Sequence, residues 1–259
     1  MLEVRIDEKA YADRGGRRHV ALRGLSLNVT PGEFVCLVGP SGSGKSTLLN
    51  LIGGLDTQMN GSVRIAGEPP GAGVGFMFQE PRLMPWLTVL DNVRLVLDER
   101  LEAPAADARA RELLAAMELD DVLDAYPSTL SGGMQRRVAL ARAFAIEPQL
   151  LLMDEPFVSL DAPTAQRLRA MLVDLWQRRR TTVLFVTHDL REALSLADRV
   201  CFLSPAPGAL VHEQRVALPR PRQPQDAAIG RLYDELMQAH PALLAGLAAP
   251  LHTLSEASA

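Results

Sequence analysis

The sequence predicts an α/β fold with a mostly parallel sheet, an N-terminal antiparallel β-subdomain and an inserted α-helical subdomain. Three runs are almost wholly apolar and have the length and branching of buried parallel strands, at residues 34–38, 150–153 and 182–187. Residues 1–29 contain two segments in which apolar and polar residues alternate, the pattern of a β-hairpin with one buried face. Between residues 88 and 145 the chain becomes rich in alanine and leucine at helical spacing, which predicts the inserted helices.

Cap and turn residues divide the rest of the chain into elements. Asp161 can cap a helix that has Pro163 in its first turn, and Asp189 with Glu192 fits a capping box before the next helix. The further predicted strands are 61–69, 74–78, 200–203 and 210–216. The further predicted helices are 105–117, 119–125, 132–146 and 227–247.

Prolines near the C-terminus mark a domain boundary. The segment from Pro219 to Pro224 predicts a stiff linker. We therefore expect one domain at 1–217, with its helical subdomain at about 88–145, followed by the linker and a helical extension at 218–259.

Composition excludes several classes of protein. The net charge is −4 and there is no long basic block, so a nucleic-acid partner is not expected. The sequence has neither an N-terminal signal peptide nor a run of the roughly 18 apolar residues that a membrane-spanning helix needs. Its two cysteines, Cys36 and Cys201, lie in apolar runs, which favours buried free thiols in a reducing compartment. We expect a cytoplasmic protein that can still dock on a membrane protein.

A phosphate-binding pattern follows the first apolar strand. The segment fits G-x-x-x-x-G-K-[ST] in full, and a strand and a helix flank it as the P-loop chemistry requires. Its glycines let backbone N–H groups surround an anion, Lys45 can reach the β- and γ-phosphates, and the Ser46 hydroxyl can bind Mg²⁺. The predicted phosphate-binding residues are Gly39, Pro40, Ser41, Gly42, Ser43, Gly44, Lys45, Ser46 and Thr47.

Two carboxylates end the second apolar strand. Asp154 and Glu155 follow residues 150–153, and ligands bind at the carboxyl ends of parallel strands. One acid can hold Mg²⁺ through water, and its neighbour can orient or activate an attacking water. The alternative is a pair of solvated loop acids.

A second anion cradle is predicted at Ser131, Gly132 and Gly133. Ser131 can cap the helix that follows, and the two glycines expose N–H groups at its positive end. Capping alone requires only the serine and leaves both glycines unexplained. If this cradle also takes a γ-phosphate, the simplest arrangement is a two-fold dimer in which each cradle completes the other chain's P-loop site.

The ordered set of phosphate loop, Leu-Ser-Gly-Gly, apolar-Asp-Glu and a later histidine resembles the ATP-binding cassette (ABC) ATPases over residues 1–217. The resemblance implies ATP and Mg²⁺ as ligands and a homodimer formed on ATP binding. It implies that Ser131, Gly132 and Gly133 contact ATP across that dimer, and that residues 159–161, ending at Asp161, communicate across it. The signature departs from the commonest form at Met134, where glutamine is usual.

The same resemblance assigns the remaining roles in the site. Tyr11 matches the aromatic residue that stacks on adenine, although the segment from Arg14 to Arg18 lengthens its separation from the P-loop. Asp154 matches the Mg²⁺ acid and Glu155 the catalytic glutamate. Gln79 matches the glutamine that senses Mg²⁺ and the attacking water, and His188 matches the switch histidine on the γ-phosphate.

The apolar run that follows Gln79 predicts a partner surface. Leu83, Met84, Trp86 and Leu87 are either core residues or an exposed patch that docks a membrane permease. Together with Phe-Gln-Glu at 78–80 and Met134, this run resembles the nitrate/sulfonate/taurine branch of ABC importers. The resemblance implies a secreted solute-binding protein as a further partner and a position of this subunit on the inner face of the membrane. The alternatives are an exporter or lipoprotein-release ATPase, a nonmembrane ABC ATPase, and a nucleotide-binding regulator without turnover.

Overall fold

The structure is a computed structural model that describes residues 2–12, 16–98 and 100–243. Its strands are β1 Leu2–Ala12, β2 Arg18–Val29, β3 Phe34–Val38, β4 Asn60–Ile65, β5 Val74–Met77, β6 Leu150–Asp154, β7 Thr182–Thr187, β8 Arg199–Leu203 and β9 Leu210–Arg215. Its helices are α1 Lys45–Ile52, α2 Val89–Arg94, α3 Ala103–Ala116, α4 Gly132–Ala145, α5 Ala162–Arg179, α6 Leu190–Leu196 and α7 Ala227–Ala239. None of these helices combines the length and the apolar character needed to cross a membrane.

The chain folds into two compact units. Unit 1 comprises Met1–Ala72 with Thr182–Ala259, and unit 2 comprises Gly73–Thr181. Unit 1 therefore contains β1–β4, β7–β9, α1, α6 and α7, and unit 2 contains β5, β6 and α2–α5.

Unit 1 contains an antiparallel and a mostly parallel group of strands. β1 pairs antiparallel with β2 on one side and with β4 on the other, and its alternate residues are buried, as the hairpin pattern predicts. β3 lies between β7 and β8 and is parallel to both, while β9 is antiparallel to β8. All five residues of β3 are buried, as expected for a central parallel strand in a sheet that is covered on both faces. Cys36 and Cys201 are buried free thiols on β3 and β8, and burial raises the pKa of both.

Unit 2 has two parallel strands, β5 and β6, and four helices. The strongest helix prediction is confirmed in α5. Asp161 is its N-cap and accepts a hydrogen bond from the Thr164 N–H at 3.0 Å, which satisfies one of the unpaired N–H groups of the first turn. The predicted apolar stripe faces inward, with Leu168, Leu172, Leu175 and Trp176 buried.

The predicted helix at 119–125 is wrong. Only a single 3₁₀ turn forms there, at Asp120–Val122. The next carbonyls have other partners, because Leu123 and Ala125 accept hydrogen bonds from the N–H groups of Leu90 and Val89 at 3.0 and 2.9 Å. These carbonyl oxygens therefore bond to N–H groups in the first turn of α2, which have no partner within that helix, instead of continuing a helix at 119–125.

Two predicted elements are shorter than expected. β4 ends at Ile65 rather than at 69, because Ala66 and Gly67 both adopt left-handed backbone and form a tight turn. α7 ends at Ala239 rather than at 247, since Pro241 disfavours helical backbone at His240 before it. Residues 244–247 of that prediction lie outside the described residues.

Candidate functional site

The backbone of the P-loop is set by left-handed glycines. The loop connects Val38, the last residue of β3, to Lys45, the first residue of α1. Gly42 and Gly44 have φ of 79° and 86°, values that side-chain-bearing residues rarely adopt. Gly44 is the N-cap of α1 and has no side chain that could accept the first-turn N–H groups. A loop of this kind turns its N–H groups towards one point, which suits an anion.

Two neighbouring segments of unit 1 press against this loop. A Cβ on Gly44 would lie 2.5 Å from Leu22 Cδ2, and a Cβ on Gly208 would lie 2.0 Å from the Ser43 carbonyl oxygen. The Gly208 N–H donates to the Ala21 carbonyl oxygen at 2.8 Å, which joins β2 to the connection between β8 and β9. The close packing leaves the loop little room to open.

Lys45 spans the loop. Its ammonium donates to the carbonyl oxygens of Gly39 and Pro40, both at 2.9 Å, and the residue is 6% exposed. Ser46, the next residue of α1, is exposed. The loop therefore combines inward N–H groups, a buried cation and an accessible hydroxyl, the groups that triphosphate and Mg²⁺ require.

His188 lies in a turn of unit 1 that side chains hold on both sides. It is exposed and follows Thr187, the last residue of β7. The Thr187 hydroxyl donates to Glu192 Oε2 at 2.8 Å and accepts from the Asp189 N–H at 3.1 Å. The Asp189 carboxylate caps α6 by accepting from the N–H groups of Arg191 and Glu192. The predicted cap at Asp189 is therefore present, and the Glu192 carboxylate also bonds to the Thr187 hydroxyl.

Tyr11 lies near the end of β1 with its ring held by two neighbours. The hydroxyl donates to Asp56 Oδ2 at 3.1 Å, and the Lys9 ammonium lies 4.5 Å from the ring centroid. Lys9 is almost fully buried and forms an ion pair with Asp56 at 2.7 Å. Tyr11 as a whole is 40% exposed, so aromatic surface is available, and the adenine contact remains a prediction.

The predicted carboxylates of unit 2 lie at the end of β6. Asp154 is the last residue of the strand, and both it and Glu155 are half-buried rather than fully solvated. Glu155 and Ser159 have φ of 43° and 63°, left-handed backbone that is uncommon outside glycine. Such backbone occurs at functional sites more often than elsewhere and requires support from its surroundings.

Arg136 of α4 supplies much of that support. Its guanidinium donates to the carbonyl oxygens of Gln79 at 2.9 Å, Pro156 at 2.6 Å and Val158 at 2.7 Å, and the side chain is buried. These acceptors lie in the loop after β5 and in the loop after β6. One side chain of α4 thus fixes two loops that carry predicted site residues.

A second arginine of α4 fixes the rest of the loop after β5. The Arg142 guanidinium donates to the carbonyl oxygens of Pro81 and Arg82 at 2.8 and 2.9 Å. The Arg82 guanidinium in turn lies 4.0 Å from the Phe78 ring centroid. The side chain of Gln79, between these contacts, is exposed.

The Ser131 segment forms the start of α4. The Ser131 hydroxyl accepts from the Met134 N–H at 3.3 Å, so the predicted cap is present. A Cβ on Gly133 would lie 2.6 Å from Thr164 Cγ2 of α5, so packing gives one reason for glycine at this position. A Cβ on Gly132 would meet nothing within 4 Å. Of the two glycines, therefore, only Gly132 has no packing reason within the described residues.

The predicted site residues thus fall into two sets. Unit 1 holds Tyr11, the P-loop and His188, and unit 2 holds Gln79, the Ser131 segment, Asp154, Glu155 and Asp161. Within unit 2, Arg136 joins the backbone of Gln79 to that of the loop after Glu155.

Comparison with known proteins gives the family. The family model described as ABC transporter matches residues 22–158. The chain is 45% identical over 242 residues to the aliphatic sulfonates import ATP-binding protein SsuB 2 of Burkholderia lata, an alignment that covers 92% of this chain and 86% of that protein. It is 44% identical to the SsuB protein of Bacillus subtilis, covering 85% of this chain and 86% of that one.

The chain belongs to the ABC transporter family. Among solved structures it is similar to a bacterial ABC transporter cassette determined as a dimer, with a TM-score of 0.76 and 34% identity over 85% of this chain and 100% of that one. It is also similar, with a TM-score of 0.75, to a dimeric ATP-binding cassette in a post-hydrolysis state bound to ADP and Pi. The predicted α/β fold class and the predicted ABC ATPase family are confirmed.

Arg136 is the residue of this ABC cassette that sequence reasoning missed. Its acceptors are backbone carbonyls, which every residue type has, so the sequence gives no sign of which loops it joins. The one available signal is its place in the turn of α4 after Ser131, on the side of the helix that proves to be buried.

Gly133 can be tested separately for packing and for ligand binding. Gly133→Ala places a methyl group against Thr164 Cγ2, and Thr164 cannot rotate freely because its hydroxyl donates to Asp161 at 2.7 Å. We expect the free energy of unfolding to fall by about 1–2 kcal/mol. Adding Thr164→Ser removes Cγ2, keeps the hydroxyl and should restore stability. If the double variant also recovers wild-type ATP hydrolysis, Gly133 serves packing alone; if hydrolysis stays low, the predicted ligand role is supported.

Arg136→Met should leave three partly buried carbonyls without their donor. We expect kcat for ATP hydrolysis to fall by about tenfold or more, because the loops that carry Gln79 and Glu155 lose their common support. Dissociation constants for ATP and thermal unfolding should be measured alongside. The matched control is Arg137→Met, which removes the same group from the next position, where it donates to the carbonyl oxygens of Met117 and Glu118. An equal loss of kcat in both variants would contradict a specific role for Arg136.

Proposed function

We propose that this chain is the ATP-hydrolysing subunit of an ABC importer for aliphatic sulfonates or related organic anions. The observation that carries the proposal is the 42–50% identity to subunits named for sulfonate import, over most of both chains. The solute class rests on those names. The partners are a membrane permease and a solute-binding protein, and the subunit works in the cytoplasm on the inner face of the membrane.

The residues of unit 1 bind the nucleotide. N–H groups of the P-loop and the Lys45 ammonium hold the β- and γ-phosphates, and the bonds of Lys45 to the Gly39 and Pro40 carbonyl oxygens support this role by placing the ammonium across the loop. Tyr11 stacks on adenine. His188 contacts the γ-phosphate from a turn that Thr187 and Asp189 keep in place.

The residues of unit 2 supply the chemistry of hydrolysis. In unit 2, the amide oxygen of Gln79 and the carboxylate of Asp154 are hard oxygen donors, the ligands that Mg²⁺ prefers, and the Ser46 hydroxyl of unit 1 is a donor of the same kind. Mg²⁺ neutralises charge on the β- and γ-phosphates when it is bound. Glu155 orients the attacking water and accepts its proton, a role that its half-buried position at the strand end allows.

The second phosphate contact comes from another copy of the chain. Ser131 and Gly132 are exposed at the N-terminus of α4, where N–H groups and the helix dipole favour an anion. Gly132 has open space around it, so a ligand can approach its backbone closely. Two copies facing each other across two ATP molecules would use both cradles, with Asp161 and the preceding residues at the contact between them.

The Trp86 loop, residues 82–87, contacts the permease. Trp86 is 70% exposed, so the alternative that it is a core residue is wrong for the described chain. Hydrogen bonds nevertheless hold the backbone of the loop, because the buried Asn92 side chain bonds to the N–H and carbonyl oxygen of Met84 and to the carbonyl oxygens of Leu87 and Thr88. An exposed tryptophan on a fixed loop is typical of an interface anchor.

Glu155→Gln should abolish transport while leaving ATP binding intact. The amide cannot accept the proton of the attacking water, so hydrolysis should fall by about 10²-fold or more. The measurement is ATP hydrolysis and uptake of a radiolabelled aliphatic sulfonate by the transporter reconstituted with permease and binding protein. Hydrolysis at the wild-type rate would refute the assignment of Glu155. ATP-driven uptake of another solute, with no sulfonate uptake, would refute the solute class only.

Trp86→Ala should separate docking from folding. We expect thermal unfolding of the free subunit and its affinity for ATP to change little, because the side chain is exposed, while binding to the permease weakens by about 2 kcal/mol. Leu55→Ala is the control, since Leu55 is a comparably exposed apolar residue of unit 1. Normal association of Trp86→Ala with the permease would exclude the loop as an anchor.

A further inference from the structure

The C-terminal segment after β9 is bonded to the body of unit 1, where the sequence predicts a stiff linker. Arg220 and Arg222 both point their guanidinium groups at the C-terminal end of α6. Neither arginine lies among the residues that bind nucleotide, and the ATPase chemistry described above does not use them. Their contacts therefore require a separate explanation.

The two arginines satisfy the last carbonyls of α6. Arg222 donates to the carbonyl oxygens of Ser195 at 3.1 Å and Ala197 at 2.6 Å, and Arg220 donates to that of Leu196 at 2.5 Å. All three acceptor residues are buried, so water cannot readily replace the arginines. Carbonyls at the end of a helix have no partner within the helix, and cations there also favour the helix dipole.

Arg220 extends the connection to the strand that leads into the P-loop. It forms an ion pair with Asp198, the residue before β8. The Asp198 carboxylate accepts from the Phe34 N–H at 2.9 Å, and the Asp198 N–H donates to the Phe34 carbonyl oxygen at 2.8 Å. Phe34 is the first residue of β3. The same cluster thus contacts the base of β3 and the end of α6.

The other end of α6 begins directly after the His188 turn. Asp189 caps the helix, and Thr187 bonds to Glu192 in its first turn, so the turn and the helix are joined by side-chain hydrogen bonds. The Arg191 guanidinium lies 4.5 Å from the ring centroid of Tyr233 in α7, which adds a second contact from the C-terminal segment. A helix of two turns transmits a shift at one end to the other, because its backbone bonds are intact throughout.

We propose that Arg220 and Arg222 are positioning residues for His188: they fix the C-terminal end of α6 and thereby hold the histidine turn at its N-terminal end. The proposal rests on the proposed role of His188 at the γ-phosphate. It gives the C-terminal segment a function in the ATPase cycle. We call the three hydrogen bonds from Arg220 and Arg222 to the end of α6 the clamp. Loss of the clamp lets α6 shift, so kcat for ATP hydrolysis falls while the P-loop still binds ATP.

The test uses the full chain with Arg222→Met and with the double change Arg220→Met, Arg222→Met. Hydrogen exchange of the amides at 189–197 is measured without nucleotide, and kcat, KM and the ATP dissociation constant are measured in parallel. We expect exchange to speed up by about tenfold or more and kcat to fall by about tenfold, with ATP affinity within about twofold of the wild type. Arg222→Lys, which keeps one donor to a carbonyl, should be intermediate, and it carries the test if the methionine variants do not fold.

Arg231→Met is the matched control, because Arg231 is an exposed arginine of α7 in the same C-terminal segment. Unchanged exchange at 189–197 would overturn the clamp. Faster exchange with a kcat equal to that of the control would overturn the positioning role and leave a purely structural one. A wild-type chain without ATPase activity would refute the proposed function instead, and the exchange measurement, which needs no nucleotide, distinguishes that result from failure of the clamp.

Discussion

Backbone N–H groups can surround a triphosphate only if the loop that carries them is held in a left-handed turn. Gly42 and Gly44 allow that turn, and β2 and Gly208 press against it at distances that leave no room for a Cβ. The wholly buried strand β3 places one end of the loop, and α1 places the other. Several elements of unit 1 therefore hold a short stretch of backbone in a conformation that glycine adopts readily and other residues rarely adopt.

Loops of the site are held mainly by arginine side chains that bond to backbone carbonyls. Arg136 and Arg142 fix the loops after β5 and β6 in unit 2, and Arg220 and Arg222 fix the end of α6 in unit 1. A guanidinium offers five donors in a rigid plane, so one side chain can satisfy carbonyls from two segments. Burial makes such bonds costly to lose, which suits loops that must return to one geometry after each nucleotide cycle.

The parts of the fold that local patterns determine were predictable from the sequence. The P-loop, β3 and α1 follow from one motif and its flanks, and α5 follows from its cap at Asp161 and its apolar stripe. The prediction of a helix at 119–125 failed because Leu123 and Ala125 bond to α2. This contact spans more than 30 positions of the sequence, and no local pattern indicates it. For the same reason the sequence does not reveal the roles of Arg136, Arg220 and Arg222. Their acceptors are backbone carbonyl oxygens, which every residue type has. Gly133 has a second explanation that the sequence does not reveal, because a packing contact with Thr164 also favours glycine at a position that the motif assigns to phosphate.

The central claim is that the Ser131 cradle completes the ATP site of a second copy. It is tested most directly by sedimentation of the Glu155→Gln chain with ATP, alone and with the further change Ser131→Arg. We expect ATP to convert the first from a monomer of 28.2 kDa into a dimer. The second should bind ATP with unchanged affinity and remain a monomer, because the new side chain blocks the partner's γ-phosphate and not its own P-loop. Weakened ATP binding by the monomeric double variant, or an ATP-dependent dimer that forms despite Ser131→Arg, would contradict the claim.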